Sequence, residues 1–167
     1  MHKDFDIVKA LYDQHGLSVT GLSEEPESFE YGACTYNLNG LVVKFRVSKI
    51  TPKKAGQFVT IWKRNEQGIT QPFDETDELD FVIISSRNGT DFGQFIFPKA
   101  VLVDKRIITG KGREGKRGIR VYPPWDKANN KQAIKTQEWQ LRYFVDLQSG
   151  GSREAMRSKL HLKQVSS

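Results

Sequence analysis

The dipeptide Asn39-Gly40 separates two stretches that are typical of β-strands, residues 30–38 and 41–50. Asn and Gly both adopt the positive φ angles that a type I′ turn requires, which makes this pair a strong signal for a β-hairpin. In the second stretch, the odd positions from 43 to 47 are apolar and the even positions from 44 to 48 are basic or polar. Since successive side chains point to opposite faces of a strand, the sequence predicts a hairpin with one face in the core and a basic opposite face.

Four further stretches indicate additional strands. Residues 81–84, Phe-Val-Ile-Ile, form a short apolar run rich in β-branched residues, which is typical of a central strand buried on both faces. Residues 57–63 and 93–97 also read as strands, and residues 119–122 form a short strand that Pro123-Pro124 ends. These patterns predict a central sheet of mixed or antiparallel strands.

Helices are indicated near both ends and in the middle of the chain. Residues 4–15 place apolar side chains on one helical face, and Gly16 follows at the position where a helix commonly ends. Pro98 fits the first position of a short helix, because it needs no hydrogen-bond partner for a backbone N–H there. Asn129 or Asn130 can cap a last helix.

The domain organisation follows from length and composition. A chain of 167 residues with 37% hydrophobic residues is long enough for one globular domain with a real core. We predict a single α+β domain over residues 1–148, with a central sheet flanked by helices. Residues 149–167 are polar and rich in Gly and Ser, so we expect a poorly ordered tail or at most a short basic helix around Met156 and Leu160.

Several functional classes are disfavoured by what the sequence lacks. Its one cysteine, Cys34, excludes an internal disulfide and a cysteine-based zinc cluster. No apolar run approaches the roughly 20 residues of a membrane span, and the first residues lack the apolar core of a signal peptide. Three histidines, all near the ends of the chain, argue against histidine-based catalysis. We therefore expect a cytoplasmic protein without membrane contact and without a cofactor, and we favour a monomer.

The basic residues are concentrated in two segments, 44–64 and 105–131. The first contains seven basic residues and no acidic one, and the second contains nine basic residues and two acidic ones, so the second alone exceeds the +6 of the whole chain. Such segregation favours a polyanionic partner on one side of the molecule, and we predict DNA or RNA. The residues predicted to contact it are Lys44, Arg46, Lys49, Lys53, Lys54, Lys63, Arg64, Lys111, Arg113, Lys116, Arg117, Arg120, Tyr122, Trp125 and Lys127.

The second basic segment also has the composition of a binding loop. Its four glycines allow the backbone to approach a partner closely, and the proline pair fixes Tyr122 and Trp125 beside the charges. Cations interleaved with aromatic rings suit phosphates and stacked bases. We expect Trp125 at the rim of a groove. The sequence leaves open the alternative of a solvated basic loop followed by a Tyr and a Trp of the core.

Three stretches carry a resemblance to a known family: YGACTYNLNGLVVKFRVSKITPKKAGQFVTIWKR, FGQFIFPK and RVYPPWDKANNKQAIKTQEWQ. They resemble the MepB family, small bacterial proteins typically encoded beside a multidrug efflux pump and its regulator, and the resemblance covers roughly residues 3 to 146. It implies an α+β fold similar to that of the restriction-endonuclease-like, PD-(D/E)xK nucleases, and a role in nucleic-acid binding.

A nuclease of this type needs an Asp on one strand and Glu-x-Lys on the next, because the carboxylates hold a divalent cation and the lysine orients the attacking water. The best match places Asp80 before the buried strand and Gln94 on its neighbour, with Ile96 in place of the lysine. Gln is a weak ligand and Ile cannot handle a proton. The weak catalytic candidates are therefore Asp80, Gln94 and Lys99, and a divalent cation is expected only if this site is active.

Three functional hypotheses remain at this point. The first is a nucleic-acid-binding protein with a degenerate nuclease-like site, which we favour over an enzyme. The second is an active metal-dependent nuclease or nucleotide-modifying enzyme with an atypical site. The third is an accessory protein that binds an acidic protein or a small anion and is linked to drug efflux.

Overall fold

The computed structural model describes residues 2–25, 30–148 and 152–162. A six-stranded sheet lies at its centre, with the strand order β1-β2-β3-β8-β9-β11. A three-stranded sheet, β10-β5-β4, and a two-stranded sheet, β6-β7, accompany it. The elements in chain order are α1 (Lys3–Gln14), β1 (Val19–Glu24), β2 (Cys34–Leu38), β3 (Leu41–Val47), β4 (Lys49–Ile50), β5 (Gln57–Thr60), β6 (Lys63–Arg64), β7 (Thr70–Gln71), β8 (Phe81–Asn88), β9 (Asp91–Pro98), α2 (Lys99–Asp104), β10 (Gly118–Val121), α3 (Lys131–Leu141), β11 (Phe144–Asp146) and α4 (Ser152–Lys159).

The central sheet is mixed, and its turns follow the sequence signals. Strands β3 and β8 run parallel, while the other neighbouring strands in this sheet run antiparallel. Asn39 and Gly40 have φ angles of 49° and 84° and connect β2 to β3, so the predicted hairpin is confirmed. The first six residues of β8 are buried, which confirms the predicted central strand. The predicted α+β fold class with a mixed central sheet is therefore confirmed.

Two hydrophobic clusters cover the two faces of the central sheet. On one face, Phe5, Val8 and Tyr12 of α1 pack against the sheet together with residues of α4. On the other face, the three-stranded sheet and α2 contribute Val59, Leu102 and other apolar side chains. Full burial of a side chain such as Phe5 stabilises the fold by about 1.5–3 kcal/mol. The central sheet is thus the middle layer of the described part of the molecule, covered on both faces except at the exposed edge strand β1 and at a cavity beside Lys44.

This layering overturns the predicted basic face of β3. The chain leaves the central sheet at Ser48 and forms the three-stranded sheet, which lies over the even-numbered positions of β3. Arg46 is only 1% exposed, and its guanidinium lies 3.2 Å from the Glu25 carboxylate and also donates to two backbone carbonyl groups. Alternation along β3 is present as predicted, but its polar side is buried rather than exposed to solvent.

The C-terminal segment contains a short helix around Met156, the alternative that we gave to a poorly ordered tail. Helix α4 spans Ser152–Lys159, and Met156 and Leu160 are fully or almost fully buried in the cluster under α1. The helix therefore packs against the domain that we assigned to residues 1–148. Residues 149–151 and 163–167 lie outside the described part. Within the described part, none of the helices combines the length and apolarity needed to cross a membrane.

Candidate functional site

Two adjoining cavities lie beside β10 and the N-terminal half of α3. The larger has a volume of about 400 Å³ and extends over Phe58 and Ile119 toward Trp139. The smaller has a volume of about 320 Å³ and lies against the loop that carries Lys53 and Lys54. We call the two together the basic cleft. The residues that line both of its cavities are Arg120, Tyr122, Asn130 and Ala133.

The side chain of Gln140 holds β10 against α3. It is 1% exposed, accepts a hydrogen bond from the Tyr122 N–H at 2.8 Å, and donates one to the Arg120 carbonyl at 3.0 Å. One turn earlier, the Gln137 amide donates to the carbonyls of Pro123 and Asp126 at 3.0 and 2.8 Å. These bonds satisfy backbone groups that no neighbouring strand reaches. They fix the position of Tyr122 and of the proline turn that follows it.

Helix α3 begins at the cleft. The Asn130 side chain accepts a hydrogen bond from the Ala133 N–H at 2.9 Å and so caps the helix, which confirms one of the two predicted caps. Asn129 and Asn130 line the smaller cavity. The partial positive charge of the helix N-terminus therefore adds to the positive potential of the cleft.

Arg120 organises the loop between β4 and β5. Its guanidinium donates to the carbonyls of Ala55 and Gly56, both at 3.1 Å, and to the hydroxyl of Thr51 at 2.7 Å. These acceptors engage Nε and one terminal nitrogen of the guanidinium, which gives Arg120 a positioning role, and its predicted contact with phosphate stays a prediction. By holding the loop, Arg120 sets where Lys53 and Lys54 stand.

The cleft gathers cations from distant parts of the sequence. Lys53 and Lys54 come from the first basic segment, and Lys105, Lys116 and Arg120 come from the second. Among the described residues that line the two cavities there is no Asp or Glu, although Asp126 lies near enough to Arg120 for the two charges to attract each other. A concave surface lined by cations creates a positive potential that attracts anions.

Aromatic rings form part of the cleft surface. Phe58, Tyr122 and Trp139 are half-buried and line the larger cavity. The Lys105 ammonium group lies 5.4 Å from the centre of the Trp139 ring. The cleft therefore offers both cations and aromatic surface, the combination that suits nucleotides.

Trp125 does not line the cleft, because its ring packs edge-on against Phe144 with the ring centres 5.8 Å apart. Trp139 lies instead at the position that we expected for Trp125. Phe58, Lys105 and Trp139 were not among the predicted contact residues, and the local sequence around them carried no signal that separated them from residues of the core or of the exposed surface.

The other predicted contact residues lie elsewhere or have protein partners. Lys49 pairs with Glu30 at 2.7 Å, and Lys63 pairs with Asp77 at 2.6 Å. Arg117 donates to the Thr70 carbonyl. The structure brings together Lys53, Lys54, Lys116, Arg120 and Tyr122 and leaves the following predicted residues outside the cleft: Lys44, Arg46, Lys49, Lys63, Arg64, Lys111, Arg113, Arg117, Trp125 and Lys127.

A separate cavity of about 440 Å³ lies next to Lys44 and has mixed charge. Glu25, Asp77 and Glu78 line it together with Lys44 and Lys63. Burial lowers the pKa of Lys44, while the carboxylate of Glu25 acts in the opposite direction. The Lys44 ammonium donates to the Thr35 hydroxyl at 3.1 Å. With three carboxylates against two ammonium groups, this cavity does not attract a polyanion.

The three catalytic candidates have different surroundings. The Asp80 carboxylate accepts a hydrogen bond from the Val42 N–H at 2.8 Å, which ties the start of β8 to β3. Gln94 is fully buried inside the sheet, and the Lys99 ammonium donates to the Asp77 carbonyl at 2.6 Å. The Lys99 N–H donates to the Asp80 carbonyl at 3.0 Å, so these two residues are neighbours, but their side chains are bound to other partners, and the atypical catalytic site stays a prediction. Over the described ranges, no group of three or more potential metal-ligating His, Cys, Asp or Glu side chains occurs.

The neighbouring strands β2 and β3 also lack the nuclease pattern. Lys44 on β3 lines a cavity, but Val42 stands two residues before it, where Glu-x-Lys requires the carboxylate. Across the sheet, Thr35 of β2 pairs with Lys44. Neither Val42 nor Thr35 supplies the carboxylate with which that motif holds a divalent cation.

Comparison with known proteins gives one family and two solved structures. The family model MepB-like matches residues 25–146. The chain is similar to the crystal structure of MepB, with 34% sequence identity and a TM-score of 0.77, over 89% of this chain and 99% of that chain. It also has a low similarity to the structure of a bacterial homing endonuclease, I-Ssp6803I, with 18% identity and a TM-score of 0.44 over 89% of this chain and 90% of that chain. Among curated proteins, none matches the sequence.

Proposed function

Since this chain belongs to the MepB-like family, we propose that it serves the nucleic-acid-binding role that the resemblance implies, and that it binds through the basic cleft without cleaving the strand. The resemblance found in the sequence is confirmed by the family match. The binding role is supported by the geometry and charge of the cleft.

The observation that carries the proposal is the convergence of the two basic segments. About fifty residues of chain separate Lys54 from Lys105, yet both reach the same pair of adjoining cavities, in which no lining residue is acidic. Solubility alone favours a mixture of charges spread over a surface. A concave surface with one sign of charge instead suits a chain of phosphates.

The lysines are free to bind phosphates in a way that Arg46 and Arg120 are not. Lys53, Lys54 and Lys116 are exposed to solvent, whereas the two guanidinium groups are occupied by protein acceptors. Lysine contacts to phosphates give affinity with little sequence information. If the four cleft lysines each neutralise one phosphate, the logarithm of the affinity falls against the logarithm of salt concentration with a slope of about −3.

The absence of cleavage in the proposal is supported by the residues at the candidate catalytic positions. The Asp80 carboxylate accepts a hydrogen bond from the Val42 N–H, and Gln94 is buried. Val42 stands at the position before Lys44 where Glu-x-Lys requires a carboxylate. The chain would therefore hold nucleic acid and leave its phosphodiester bonds intact.

The test is a salt-titrated binding assay with fluorescent oligonucleotides. The double variant Lys53→Ala/Lys54→Ala should weaken binding at least tenfold at low salt and make the salt slope shallower. The matched control is Lys3→Ala/Lys9→Ala, which removes two exposed lysines from α1 on the opposite side of the central sheet and should change affinity little.

Two results would overturn the proposal. One is oligonucleotide affinity that is equally reduced in the cleft variant and in the α1 control, which would indicate a general charge effect. The other is retention of an acidic protein or a small anion with no binding to any oligonucleotide at low salt, which would favour an accessory protein.

A further inference from the structure

We propose that the mixed-charge cavity beside Lys44 binds a free α-amino acid with an apolar side chain. In this arrangement the ligand carboxylate pairs with the Lys44 ammonium group, and the ligand ammonium group pairs with the Glu78 carboxylate. Among the described residues, none lines both this cavity and the basic cleft, so the inference is independent of the proposed function.

The floor of the cavity comes from two paired strands of the central sheet. In their antiparallel register, Thr35 of β2 lies opposite Lys44 of β3, and Asn37 lies opposite Val42. Residues that lie opposite each other or two positions apart share one face of a sheet, so these four side chains point to the same side. All four line the cavity. The floor therefore offers an ammonium group, a hydroxyl group and an amide beside an apolar side chain.

The walls of the cavity come from the segments that follow β1 and precede β8. Glu25 follows β1, and Phe73, Asp77 and Glu78 lie between β7 and β8. The Asp77 carboxylate lies 2.6 Å from the Lys63 ammonium group and also accepts a hydrogen bond from a backbone N–H at 2.7 Å. The wall before β8 is therefore fixed by contacts within the protein.

The charges on the cavity cancel in pairs, except for one of each sign. Asp77 is neutralised by its lysine partner, and Glu25 accepts a hydrogen bond from the buried Arg46 guanidinium at 3.2 Å. Lys44 and Glu78 remain, and neither forms an ion pair with any residue that the structure describes. One cation and one anion on the same cavity match a ligand that carries one group of each sign.

The Lys44 ammonium group has a hydroxyl and a ring as its partners. It is half-buried, donates to the Thr35 hydroxyl at 3.1 Å and lies 5.8 Å from the centre of the Phe73 ring. Burial lowers the pKa of Lys44, because a half-buried ammonium group loses part of its hydration. A carboxylate bound in the cavity restores that stabilisation through a charge-assisted hydrogen bond. Lys44 therefore marks the position of the ligand carboxylate.

Glu78 supplies the opposite charge. Its side chain is exposed and lines the same cavity, and its charge favours the protonated form of Lys44, so the two groups are near each other. The carboxylates of the cavity repel a polyanion, while a ligand with cationic groups alone leaves Lys44 without a counterion. A zwitterion satisfies both groups at once.

The size and the apolar surface of the cavity suit an amino acid. Its volume of about 440 Å³ lies above the lower limit of about 300 Å³ for pockets that hold small molecules. Phe73 and Val42 supply apolar surface beside the charged groups. A side chain such as that of leucine, methionine or phenylalanine gains free energy by leaving water for this surface.

The decisive experiment compares three probes with the wild-type protein by NMR titration. L-leucine has both charges, L-leucinamide lacks the carboxylate, and N-acetyl-L-leucine lacks the ammonium group. Leucine should bind at least about tenfold more tightly than either derivative, because each derivative loses one charge-assisted hydrogen bond. The comparison needs no variant, so a folding defect cannot affect it.

Variants of the two charged residues locate the ligand. Lys44→Met should abolish the preference for leucine over leucinamide, and Glu78→Gln should abolish the preference for leucine over N-acetyl-leucine. The matched control is Glu66→Gln, which removes an exposed carboxylate outside the cavity and should retain both preferences. A misfolded variant loses affinity for all three probes, whereas these variants should change one preference each.

Three results would overturn the proposal. Equal affinities of the three probes for the wild-type protein would show that the charges of the ligand are not recognised. Preferences that are unchanged in both Lys44→Met and Glu78→Gln would place the ligand elsewhere on the protein. The third result is no binding of leucine, methionine or phenylalanine at concentrations up to about 10 mM. None of these results bears on oligonucleotide binding, which the salt titration measures separately.

Discussion

The guanidinium of Arg120 donates a hydrogen bond to the Thr51 hydroxyl at 2.7 Å and thereby connects β10 to the loop before β5. Arg120 also donates to the carbonyls of Ala55 and Gly56, so three acceptors of one loop converge on one side chain. A lysine keeps the charge but lacks the planar arrangement of donors that serves several acceptors at once. The position of Lys53 and Lys54 therefore depends on the shape of Arg120 as well as on its charge.

Arg120→Lys should weaken oligonucleotide binding several-fold at constant net charge, because the loop with Lys53 and Lys54 loses its anchor. The loss of hydrogen bonds to buried or half-buried acceptors should lower the free energy of unfolding by about 1–3 kcal/mol. Binding titrations and urea unfolding measure the two effects. Arg117→Lys, an equivalent change outside the cleft, should alter neither, and an unchanged affinity in Arg120→Lys would remove the positioning role.

Arg46→Met should destabilise the protein without changing nucleic-acid binding. The side chain is buried and satisfies the carbonyls of Phe45 and Trp62 as well as the Glu25 carboxylate. The Glu25 side chain is 36% exposed and stays solvated, so the loss is that of the hydrogen bonds to the two carbonyls, about 1–3 kcal/mol. The comparison variant Lys53→Met also loses one positive charge, but it should lose affinity and keep its stability. Unfolding curves and binding curves of both variants together decide between a structural and a phosphate-binding role for Arg46.

Gln140→Leu should remove the side-chain hydrogen bonds that hold the backbone of β10 against α3. The Tyr122 N–H and the Arg120 carbonyl lose their partner, which should lower the free energy of unfolding by about 1–3 kcal/mol. Hydrogen exchange at the Tyr122 amide should accelerate at the same time. Glu138→Ala on the exposed side of α3 provides the control and should stay within about 0.5 kcal/mol of the wild type. Unchanged exchange at Tyr122 would contradict the role of Gln140.

The protein should become less stable as the pH rises above about 8.5, where free Cys and then Tyr begin to ionise in the unfolded chain. Burial raises the pKa of Cys34 to about 12 and also raises the pKa values of Tyr12 and Tyr36. The unfolded state then binds fewer protons than the folded state, so the free energy of unfolding falls with pH.

Each of these groups contributes a stabilisation that is complete below its unfolded pKa and is lost as the pH approaches its folded pKa. Urea unfolding at pH 7, 9 and 10.5 measures the loss, which should not exceed about 1.4 kcal/mol per pH unit and group. Cys34→Ala should remove most of the decrease between pH 8.5 and 10. A wild-type stability that stays constant over this range would mean that these groups are accessible to solvent.

Met156→Ala should destabilise the whole domain by about 2–5 kcal/mol, because Met156 is fully buried in the cluster under α1. Ser158→Ala, an exposed position of the same helix, should have an effect of less than about 0.5 kcal/mol. Equal stabilities of the two variants in urea unfolding would indicate that α4 does not stabilise the core.

Features encoded locally could be predicted from the sequence. The turn at Asn39-Gly40 depends on two residues that tolerate positive φ, and the central position of β8 depends on four consecutive apolar side chains. The cap of α3 depends on one asparagine. Helix α2 begins at Lys99, one residue later than predicted, because Pro98 is its cap and not its first residue. The resemblance to the family could also be recognised from the sequence.

The sequence did not allow us to predict which sheet or helix covers each face of the central sheet. Alternation along β3 gives two faces, but nothing in it shows that the three-stranded sheet covers the side with Arg46. Likewise, Met156 and Leu160 are only two apolar residues in a polar segment, too few to indicate a buried helix. For the site, clustering of charge pointed to Lys53, Lys54 and Lys116, which the fold brings to the basic cleft. That Trp139 rather than Trp125 lines the cleft could not be predicted, because it depends on the packing of Trp125 against Phe144.

The docking of α4 has a consequence for biosynthesis. Arg157 of α4 donates to the backbone carbonyl of His15 at the end of α1, a contact between residues 142 positions apart. During translation, α1 is synthesised long before α4, which packs against it in the folded protein. The apolar side of α1 therefore stays incompletely covered on the nascent chain until residues 152–160 have been synthesised, and exposed apolar surface of this kind promotes association with other chains.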